Sequence, residues 1–371
     1  MARAALRESR GVGVVGGPLA MRAVELRGAG SLAVVERPDP VAGPGQVLVA
    51  PEAVGICATD IEILDGVMAY FRTGDASYPI VPGHEWIGTV TSVGAGVEDL
   101  RPGDTVVGDP STGCGECSRC RAGRYHLCAK RTETGIMGQD GAMATRMVAF
   151  AGTTHKVARP AWDAGALIEP ASVALNAARH APCAGSTVLV LGAGAIGLLA
   201  AQSARLEGAA RVIVANASRA DRLALATRLG ADGTLVLPGD AAQAAAALRQ
   251  LAGEDGIDVV LLCTGAVAAM DLAVAVTRPG GTVVVVGLFG EARVPVDLDT
   301  VVTNDLRLIG VNGSPHLWPD TIAAVMSGAL VLEPLISHRF PLERAAEAME
   351  LARRAPPGTL KVLITPQRED A

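Results

Sequence analysis

Aromatic side chains are scarce in this sequence: it has 4 Phe, 3 Tyr and 3 Trp among 371 residues, although 50% of the residues are hydrophobic. Its cores must therefore be built from Ala, Val, Leu and Ile, which favours sheets covered by alanine-rich helices. The length fits two domains of ordinary size, each able to bury its own core. We expect an α/β protein with two domains.

The sequence also lacks long apolar runs and an excess of basic residues. No stretch reaches the roughly 18 to 20 apolar residues that a membrane-spanning helix needs, so we expect no membrane segment. With a net charge of −6, the chain has no basic field to attract nucleic acid. Residues 1–20 contain arginines but no apolar core of signal-peptide length. They predict a flexible N-terminal extension and a cytoplasmic protein.

The remaining chain changes its pattern near residue 184. Between residues 21 and 183, short β-type runs separated by Gly and Pro predict a compact antiparallel or barrel-like domain. Between residues 184 and 313, strands alternate with long helices, which predicts βαβ units and a parallel sheet. From residue 314 to 371 the alternation fades, and this tail could be a third lobe or return to the first domain. The clearest predicted strands are Gln46–Val54, Glu85–Val93, Thr187–Leu191, Arg211–Ala215, Gly233–Leu237, Val259–Cys263 and Thr282–Val286.

A glycine-rich turn follows the apolar strand Thr187–Leu191 and opens a helix. Its Gly-x-Gly-x-x-Gly pattern allows a tight turn and close approach to a pyrophosphate, and the helix N-terminus supplies free amides. The strand-turn-helix context favours dinucleotide binding over a structural glycine turn. The predicted cofactor contacts are Gly192, Gly194, Ala195, Ile196, Gly197, Asn216, Arg219, Arg222 and Thr264.

The end of the second strand usually decides between NAD and NADP, because an acid there binds the ribose hydroxyls and repels a 2′-phosphate. Here the residue is Asn216, with Arg219 and Arg222 nearby. These arginines could pair with a 2′-phosphate, so we favour NADP. The alternative is NAD, with Asn216 bound to the ribose and both arginines solvated.

Four of the seven cysteines lie within fifteen positions, in the pattern C-x2-C-x2-C-x7-C formed by Cys114, Cys117, Cys120 and Cys128. Such spacing is typical of a metal site in a reducing compartment rather than of disulfides. Four thiolates close a tetrahedral shell around zinc, which predicts a structural site. An iron-sulfur cluster or no metal are the alternatives.

A second metal site is suggested by Cys57 in Gly55–Asp60 and by the pair His84-Glu85. A thiolate, an imidazole and a carboxylate from separate segments suit an open zinc site with one position left for substrate. Taken alone, a histidine beside a glycine, as His84 is, is more often a structural residue than a metal ligand.

The order of these motifs resembles the zinc-containing medium-chain dehydrogenase/reductase family from Met21 to Thr365. The resemblance implies a GroES-like β-rich catalytic domain (residues 21–183), a Rossmann doubly wound parallel-sheet domain (184–313) and a tail (314–371) that returns to the catalytic domain. It implies two zinc ions per chain. It also implies hydride transfer between NAD(P) and a secondary alcohol or ketone.

Glu169-Pro170-Ala171-Ser172 resembles the polyol and threonine dehydrogenase branch, in which an acid here supplies or approaches the third zinc ligand. The resemblance implies Cys57, His84 and Glu169 as catalytic-zinc ligands, with Glu85 beside the metal and able to exchange with Glu169. It implies that Thr59 passes on the alcohol proton and that Asp60 orients the histidine. The segments around His84 and Glu169 are also similar to those of cyclitol dehydrogenases.

The sequence departs from the family pattern in two places. The relay histidine that many members carry is Glu62 here, and the stretch containing Tyr70 and Arg72 is longer than in the simplest members. These side chains could select a polar or anionic substrate, or simply lie on a surface loop.

We expect a homo-oligomer, a dimer or tetramer, acting on a polyol, cyclitol or amino alcohol. The alternatives are a zinc-free quinone or enoyl reductase and a non-catalytic NADP-binding protein. Both are disfavoured because neither metal motif is broken.

Overall fold

The computed structural model describes residues 20–158, 162–290 and 293–368. The extension expected over residues 1–20 lies outside these ranges except for Ala20, where the first strand begins. Within the described ranges, no helix combines the length and apolar character needed to cross a membrane. Contacts divide these residues into a first unit, up to Glu169 and again from Leu335, and a second unit, Pro170–Pro334.

Strands and helices are numbered along the chain. The strands are β1 (Ala20–Gly28), β2 (Ser31–Pro38), β3 (Gln46–Gly55), β4 (Glu85–Val93), β5 (Thr105–Gly108), β6 (Ser111–Thr112), β7 (Thr132–Thr134), β8 (Gly138–Gln139), β9 (Met147–Phe150), β10 (Thr154–Lys156), β11 (Thr187–Leu191), β12 (Arg211–Asn216), β13 (Gly233–Val236), β14 (Ile257–Leu262), β15 (Thr277–Val285), β16 (Arg307–Gly310), β17 (Ile336–Pro341) and β18 (Lys361–Thr365). The helices are α1 (Ala58–Asp65), α2 (Ala69–Thr73), α3 (Ser118–Arg121), α4 (Ile168–Arg179), α5 (Ala195–Leu206), α6 (Ala220–Arg228), α7 (Ala241–Ala252), α8 (Val267–Val276), α9 (Leu298–Thr303), α10 (Trp318–Met326) and α11 (Ala345–Arg354).

The first unit is built around a mixed sheet. Its strand order is β10-β5-β4-β3-β18-β17, with β9 also paired to β3. Within this sheet the strands before residue 160 pair antiparallel, as the short β-type runs separated by Gly and Pro predicted. From the end of the chain, β18 pairs antiparallel with β3, and β17 pairs parallel with β18. A small separate sheet, β6-β7-β8, flanks the segment that carries the four clustered cysteines.

The second unit contains a parallel sheet of order β13-β12-β11-β14-β15-β16. This order, with the first strand of the unit at the centre, is that of a doubly wound Rossmann sheet. The central strands are almost fully buried, in agreement with their continuous runs of Val, Leu and Ile. The predicted doubly wound domain is therefore confirmed as a fold.

The domain boundaries derived from the sequence, at 183/184 and 313/314, lie inside the second unit. Helix α4 explains the difference, since past Glu169 it packs with residues that follow β16. The hydroxyl oxygens of Ser172 and Ser314 are 2.6 Å apart, and the Asn176 amide donates to the Gly313 carbonyl at 2.8 Å. Side-chain contacts across 137 or more residues are not visible in local sequence pattern.

Candidate active site and metal centres

Asp60 ties together the two chain segments that carry Cys57 and His84. Cys57 lies at the N-cap of α1, and Asp60 in the first helical turn accepts its backbone N–H at 2.8 Å. The other carboxylate oxygen accepts the Gly83 N–H at 3.1 Å. Asp60 is fully buried, and this burial raises its pKa against the opposing effects of His84 and the two amides. Asp60 thus joins the two segments, and its expected role in orienting His84 stays a prediction.

Three side chains converge at this point. The possible ligand atoms of Cys57, His84 and Glu85 lie within 4.8 Å of one another. Nδ1 of His84 is buried and has no hydrogen-bond partner among the described residues, and the nearer Asp60 oxygen is 3.7 Å away. Burial lowers the pKa of His84, but Asp60, Cys57 and Glu169 together raise it well above its usual value. A sulfur, a nitrogen and an oxygen donor fit an open zinc site.

The carboxylate of Glu85 is held by a lysine that the sequence analysis did not identify. Nζ of Lys361 lies 2.7 Å from both Glu85 oxygens and donates to the Ile56 carbonyl at 3.2 Å. Both side chains are buried, and a Cβ at Gly55 would lie 2.1 Å from a Glu85 oxygen. The sequence did carry one signal for this contact, a lysine at the start of the apolar strand β18. A lysine in such a strand is expected to be buried, and a buried lysine needs a charged or polar partner.

Glu169 lies close to this cluster but outside the set of mutually close ligand atoms. It is buried, and burial together with the charges of Glu85 and Asp109 raises its pKa to about 8, while His84 and Lys361 lower it. The expected exchange of Glu85 with Glu169 at the metal stays a prediction.

The proton path predicted from the sequence begins at partly buried residues of α1. The Thr59 hydroxyl oxygen is 3.8 Å from the Cys57 sulfur. One turn later, burial raises the pKa of the half-buried Glu62. The structure thus places Thr59 beside the cluster, and its role in proton transfer stays a prediction.

The four clustered cysteines form a second donor set, all within 4.8 Å. Sulfur-sulfur distances are 4.0 Å for Cys114–Cys120 and 3.8 Å for Cys117–Cys128. Tetrahedral zinc with bonds of about 2.3 Å separates neighbouring sulfurs by about 3.8 Å, so the spacing fits. The backbone N–H of Cys120 lowers the pKa of Cys117, whereas burial raises that of Cys120 to about 12. We call residues 113–131 the cysteine lobe.

The cysteine lobe contacts the active-site side of the first unit through Asp109. The Tyr125 hydroxyl donates to one Asp109 oxygen at 2.6 Å, and the Ser111 N–H donates to the other at 2.9 Å. Asp109 is buried, and its charge helps to raise the pKa of Glu169. Sequence analysis missed this pair, because an isolated Asp after a short strand carries no functional pattern.

In the second unit, the glycine turn has the geometry that its motif predicted. Gly192 has φ +107°, and a Cβ there would lie 2.8 Å from the Cys263 carbonyl oxygen. A Cβ on Gly197 would lie 1.7 Å from the Gly192 carbonyl oxygen, so glycine allows α5 to pack closely. Gly194, at the N-cap of α5, has open space where its Cβ would be. Ala195 and Ile196 follow it in the first turn.

The residues that were expected to choose the cofactor lie beyond the next strand. Asn216 ends β12, and its carbonyl accepts the Leu237 N–H at 2.9 Å. Arg219 forms a two-point contact with Asp221, at 3.0 and 2.9 Å. Burial and the charge of Arg219 lower the pKa of Arg222. Asp221 stands two residues after Arg219, and no local motif marks it as the partner of that arginine.

Thr264 lies next to the glycine turn, because a Cβ on Gly192 would be 3.1 Å from the Cβ of Thr264. Its hydroxyl accepts the Ala266 N–H at 3.3 Å. Its contact with the cofactor stays a prediction.

The second unit has a dinucleotide-binding fold, and the first unit carries a set of sulfur, nitrogen and oxygen metal donors. Together these features define the chemical class of the protein as a metal-assisted oxidoreductase. Residues 43–159 match the family model of the alcohol dehydrogenase GroES-like domain, and residues 195–327 match that of the zinc-binding dehydrogenases. The chain is 36% identical to sorbitol dehydrogenase of Gallus gallus over 336 residues, which is 90% of this chain and 93% of that protein.

Solved structures agree with this match. A zinc-binding dehydrogenase of Sinorhizobium meliloti bound to NADP is 32% identical, with a TM-score of 0.85 and coverage of 94% of this chain and 100% of that one. An alcohol dehydrogenase of Escherichia coli in complex with NADH is 27% identical, with a TM-score of 0.84 and coverage of 93% and 99%. The chain belongs to the zinc-containing medium-chain alcohol dehydrogenase family, and it is an NAD(P)-dependent alcohol dehydrogenase. The predicted GroES-like domain is confirmed.

Proposed function

We propose that this dehydrogenase oxidises a secondary hydroxyl group of a polyol, cyclitol or amino alcohol, and reduces the ketone in the reverse direction. The observation that carries the proposal is the convergence of Cys57, His84 and Glu85 within 4.8 Å. We propose that these residues hold a catalytic zinc and that Glu169 can replace Glu85. The cysteine lobe would hold a structural zinc, giving two per chain.

A zinc ion at the catalytic site supplies Lewis acidity toward a substrate oxygen. The protein's own residues would do the remaining work. Asp60 keeps Cys57 and the His84 segment together, as its two hydrogen bonds indicate. Lys361 neutralises Glu85 and so limits the negative charge around an alkoxide. Thr59, beside Cys57, would accept and pass on the alcohol proton.

The catalytic assignment is tested by replacing one cysteine at the site and one elsewhere. Cys57→Ala should lower kcat/KM by about a thousandfold, because several kcal/mol of alkoxide stabilisation are lost. Its zinc content should fall from about two per chain to about one. Cys183→Ala, at a buried cysteine of the second unit, is the matched control and should keep both zinc ions and most activity.

Zinc analysis also separates the two alternatives from the proposal. One zinc in the wild type would favour a non-catalytic protein, and none would favour a zinc-free reductase. Retention of most activity in Cys57→Ala would contradict the catalytic site.

The substrate class is supported by the sorbitol dehydrogenase relatives, of which the chicken protein is 36% identical. Glu169 followed by Pro170 adds the branch resemblance noted in the sequence. A panel of polyols, cyclitols, amino alcohols and simple secondary alcohols, followed by NAD(P)H absorbance, tests this assignment. A clear preference for simple alcohols would reject it.

We propose NADP as the preferred cofactor. The absence of an acid at Asn216 and the nearness of Arg219 and Arg222 support it, as does a 32% identical relative bound to NADP. The contact of Arg219 with Asp221 opposes it, because a 2′-phosphate would have to compete for the same guanidinium. A charge-assisted contact contributes about 1.5 to 3 kcal/mol, or about ten- to a hundredfold in affinity.

Three variants test this preference. Asn216→Asp should shift the ratio of kcat/KM toward NAD, and Arg219→Ala should weaken NADP and leave NAD almost unchanged. Asp221→Asn should favour NADP by up to about fivefold, because it releases the guanidinium from an exposed ion pair. A wild type that prefers NAD and does not respond to Arg219→Ala would contradict the proposal.

We also propose a homo-oligomer, a dimer or tetramer, in the cytoplasm. Strand β16 is an edge strand among the described residues, and nearby α9 exposes Leu298 by 63% and Val302 by 76%. Exposed apolar residues beside an unpaired edge favour association. All seven cysteines are free, which fits a reducing compartment. Light scattering of the wild type and of Val302→Glu tests the assembly.

A further inference from the structure

Arg131, at the end of the cysteine lobe, makes a set of contacts that the reaction described above does not use. Its Nε lies 2.6 Å from a Glu133 oxygen, and its Nη2 donates to the Tyr70 hydroxyl at 3.0 Å. The guanidinium carbon is 5.4 Å from the Tyr70 ring centroid. A third, longer contact of 3.4 Å reaches the Cys128 carbonyl. Arg131 is therefore fixed in place, with only 17% of its side chain exposed.

A backbone contact just before α2 ties the start of this helix, which carries Tyr70, to α1, the helix that carries Thr59. The Met68 N–H, just before α2, donates to the Glu62 carbonyl at 3.2 Å. Glu62 stands three residues after Thr59 on α1, and residues at this spacing are neighbours on one helix face, about 5 to 6 Å apart. The start of α2 therefore packs one helical turn from Thr59.

The strand that holds Arg131's partner also reaches the active site. Glu133 lies in β7, and the turn after β7 contains Gly135. A Cβ on Gly135 would lie 2.8 Å from the backbone nitrogen of Gly83, the residue before His84. A chain of contacts therefore leads from Tyr70 through Arg131 and Glu133 to the turn that packs on the His84 segment.

Hydrogen-bond directions show what Tyr70 can offer. Arg131 is the donor in their contact, so the Tyr70 hydroxyl accepts and keeps its own hydrogen. Among the described residues no acceptor for that hydrogen is found. The charge of Arg131 is balanced by the carboxylate of Glu133. The Tyr70 hydroxyl beside this neutralised pair therefore suits a neutral hydroxyl oxygen better than an anion.

We propose that Tyr70 is a specificity residue that donates a hydrogen bond to a substrate hydroxyl group away from the reacting carbon, and that Arg131 is the positioning residue that orients it. This inference rests on the proposed function and gives it a structural basis, because a polyol offers a second hydroxyl group where a simple alcohol offers none. It also narrows the earlier expectation of a polar or anionic substrate to a neutral polar one.

The test compares two substrates in each variant. The first is whichever of sorbitol, ribitol and myo-inositol the wild type oxidises best, and the second is butan-2-ol, which lacks a second hydroxyl group. Tyr70→Phe should lower the ratio of their kcat/KM values by about three- to tenfold, the effect of one neutral hydrogen bond. The change should appear in KM for the polyol, with kcat within about twofold and butan-2-ol unaffected.

The role of Arg131 is tested in the same assay. Arg131→Ala should lower the ratio at least as much as Tyr70→Phe, and the double variant should be no worse than Arg131→Ala, because both changes remove one interaction. Arg131→Lys should retain more of the polyol-to-butan-2-ol ratio than Arg131→Ala does. Lysine can still donate a hydrogen bond, but it cannot reproduce the planar, two-point geometry of the guanidinium. Tyr78→Phe is the matched control, because the Tyr78 hydroxyl already donates to the Ile63 carbonyl.

Three results would overturn the inference. They are an unchanged ratio in Tyr70→Phe, an equal loss on both substrates, or an equally large change of ratio in Tyr78→Phe. Thermal unfolding of each variant shows whether a loss reflects misfolding, which would lower both substrates together. A wild type that oxidises no alcohol would overturn the proposed function and this inference with it, whereas turnover with an unchanged ratio would overturn the inference alone.

Discussion

Replacing Lys361 with alanine removes the ammonium group that holds the buried carboxylate of Glu85. Nζ of Lys361 is 2.7 Å from both carboxylate oxygens, and the two side chains are 6% and 1% exposed. Burial lowers the pKa of Lys361, but Glu85, Cys57 and Glu169 raise it above its usual value. The geometry is that of a buried ion pair, and removal of the lysine would leave a carboxylate buried without its partner.

The expected cost follows from that burial. Breaking a buried ion pair by removing one partner typically costs about 3 to 5 kcal/mol, because the remaining charge keeps its desolvation penalty. For a domain of about 150 to 250 residues, 1 kcal/mol shifts Tm by about 2 to 4 °C. Lys361→Ala should therefore lower the Tm of the first unit by about 6 to 20 °C.

The matched control is a lysine ion pair on the surface of the same unit. Nζ of Lys156 is 2.9 Å from Asp104, but the two side chains are 48% and 25% exposed. Lys156→Ala should leave Tm almost unchanged, since solvent already screens the pair. Urea unfolding of both variants, with zinc present and after chelation, separates the ion-pair contribution from any change in metal binding.

A double variant sharpens the test. Combining Lys361→Met with Glu85→Gln removes the stranded charge and should recover part of the loss, because a neutral amide costs less to bury than a carboxylate. If Lys361→Ala were no less stable than Lys156→Ala in both metal states, the view of Glu85 as a buried anion held by Lys361 would be refuted.

Three further predictions concern other parts of the chain. Cys117→Ser should lower zinc content by about one per chain and lower Tm more than it lowers kcat, because a structural zinc contributes folding free energy; an unchanged Tm with lost activity would exchange the structural and catalytic labels. Gly197→Ala should abolish dinucleotide binding, measured by fluorescence titration, or prevent folding, because its Cβ would lie 1.7 Å from the Gly192 carbonyl oxygen; normal binding would contradict the packing described. Burial raises the pKa of Cys183 to about 11, so Cys183 should resist alkylation at pH 8 after chelation, while the partly exposed Cys57 reacts; rapid alkylation of Cys183 would show that its burial is incomplete.

Two sequence motifs, the glycine turn and the four-cysteine pattern, correctly predicted the local structure of their segments. The glycine turn at Gly192–Gly197 sits between a strand and a helix, and the four lobe cysteines form one donor set. Each motif lies within a short segment, so local backbone geometry is enough to bring its residues together. The doubly wound sheet could be predicted for a related reason, since strand and helix alternation restricts the possible connections.

Residues joined by long-range contacts could not be found in this way. Lys361 reaches Glu85 across 276 residues, and its one sequence signal was a charge at the head of an apolar strand. Asp221 changes the expectation for Arg219 because their side chains pair, which spacing alone did not reveal. The Arg131 contact with Tyr70 joins two segments that have no motif in common.

What the sequence by itself determined was the chemistry available: soft and borderline donors for zinc, a turn for a pyrophosphate, and aliphatic strands for two cores. Local patterns encode these because they depend on residue type and backbone conformation over a few positions. The tertiary structure decided which carboxylate joins Cys57 and His84, which lysine neutralises it, and which residues surround the proposed substrate site. These contacts depend on burial and on strand pairing between distant segments. A charged group that is buried there loses its hydration, so it is stable only when another group pairs with it.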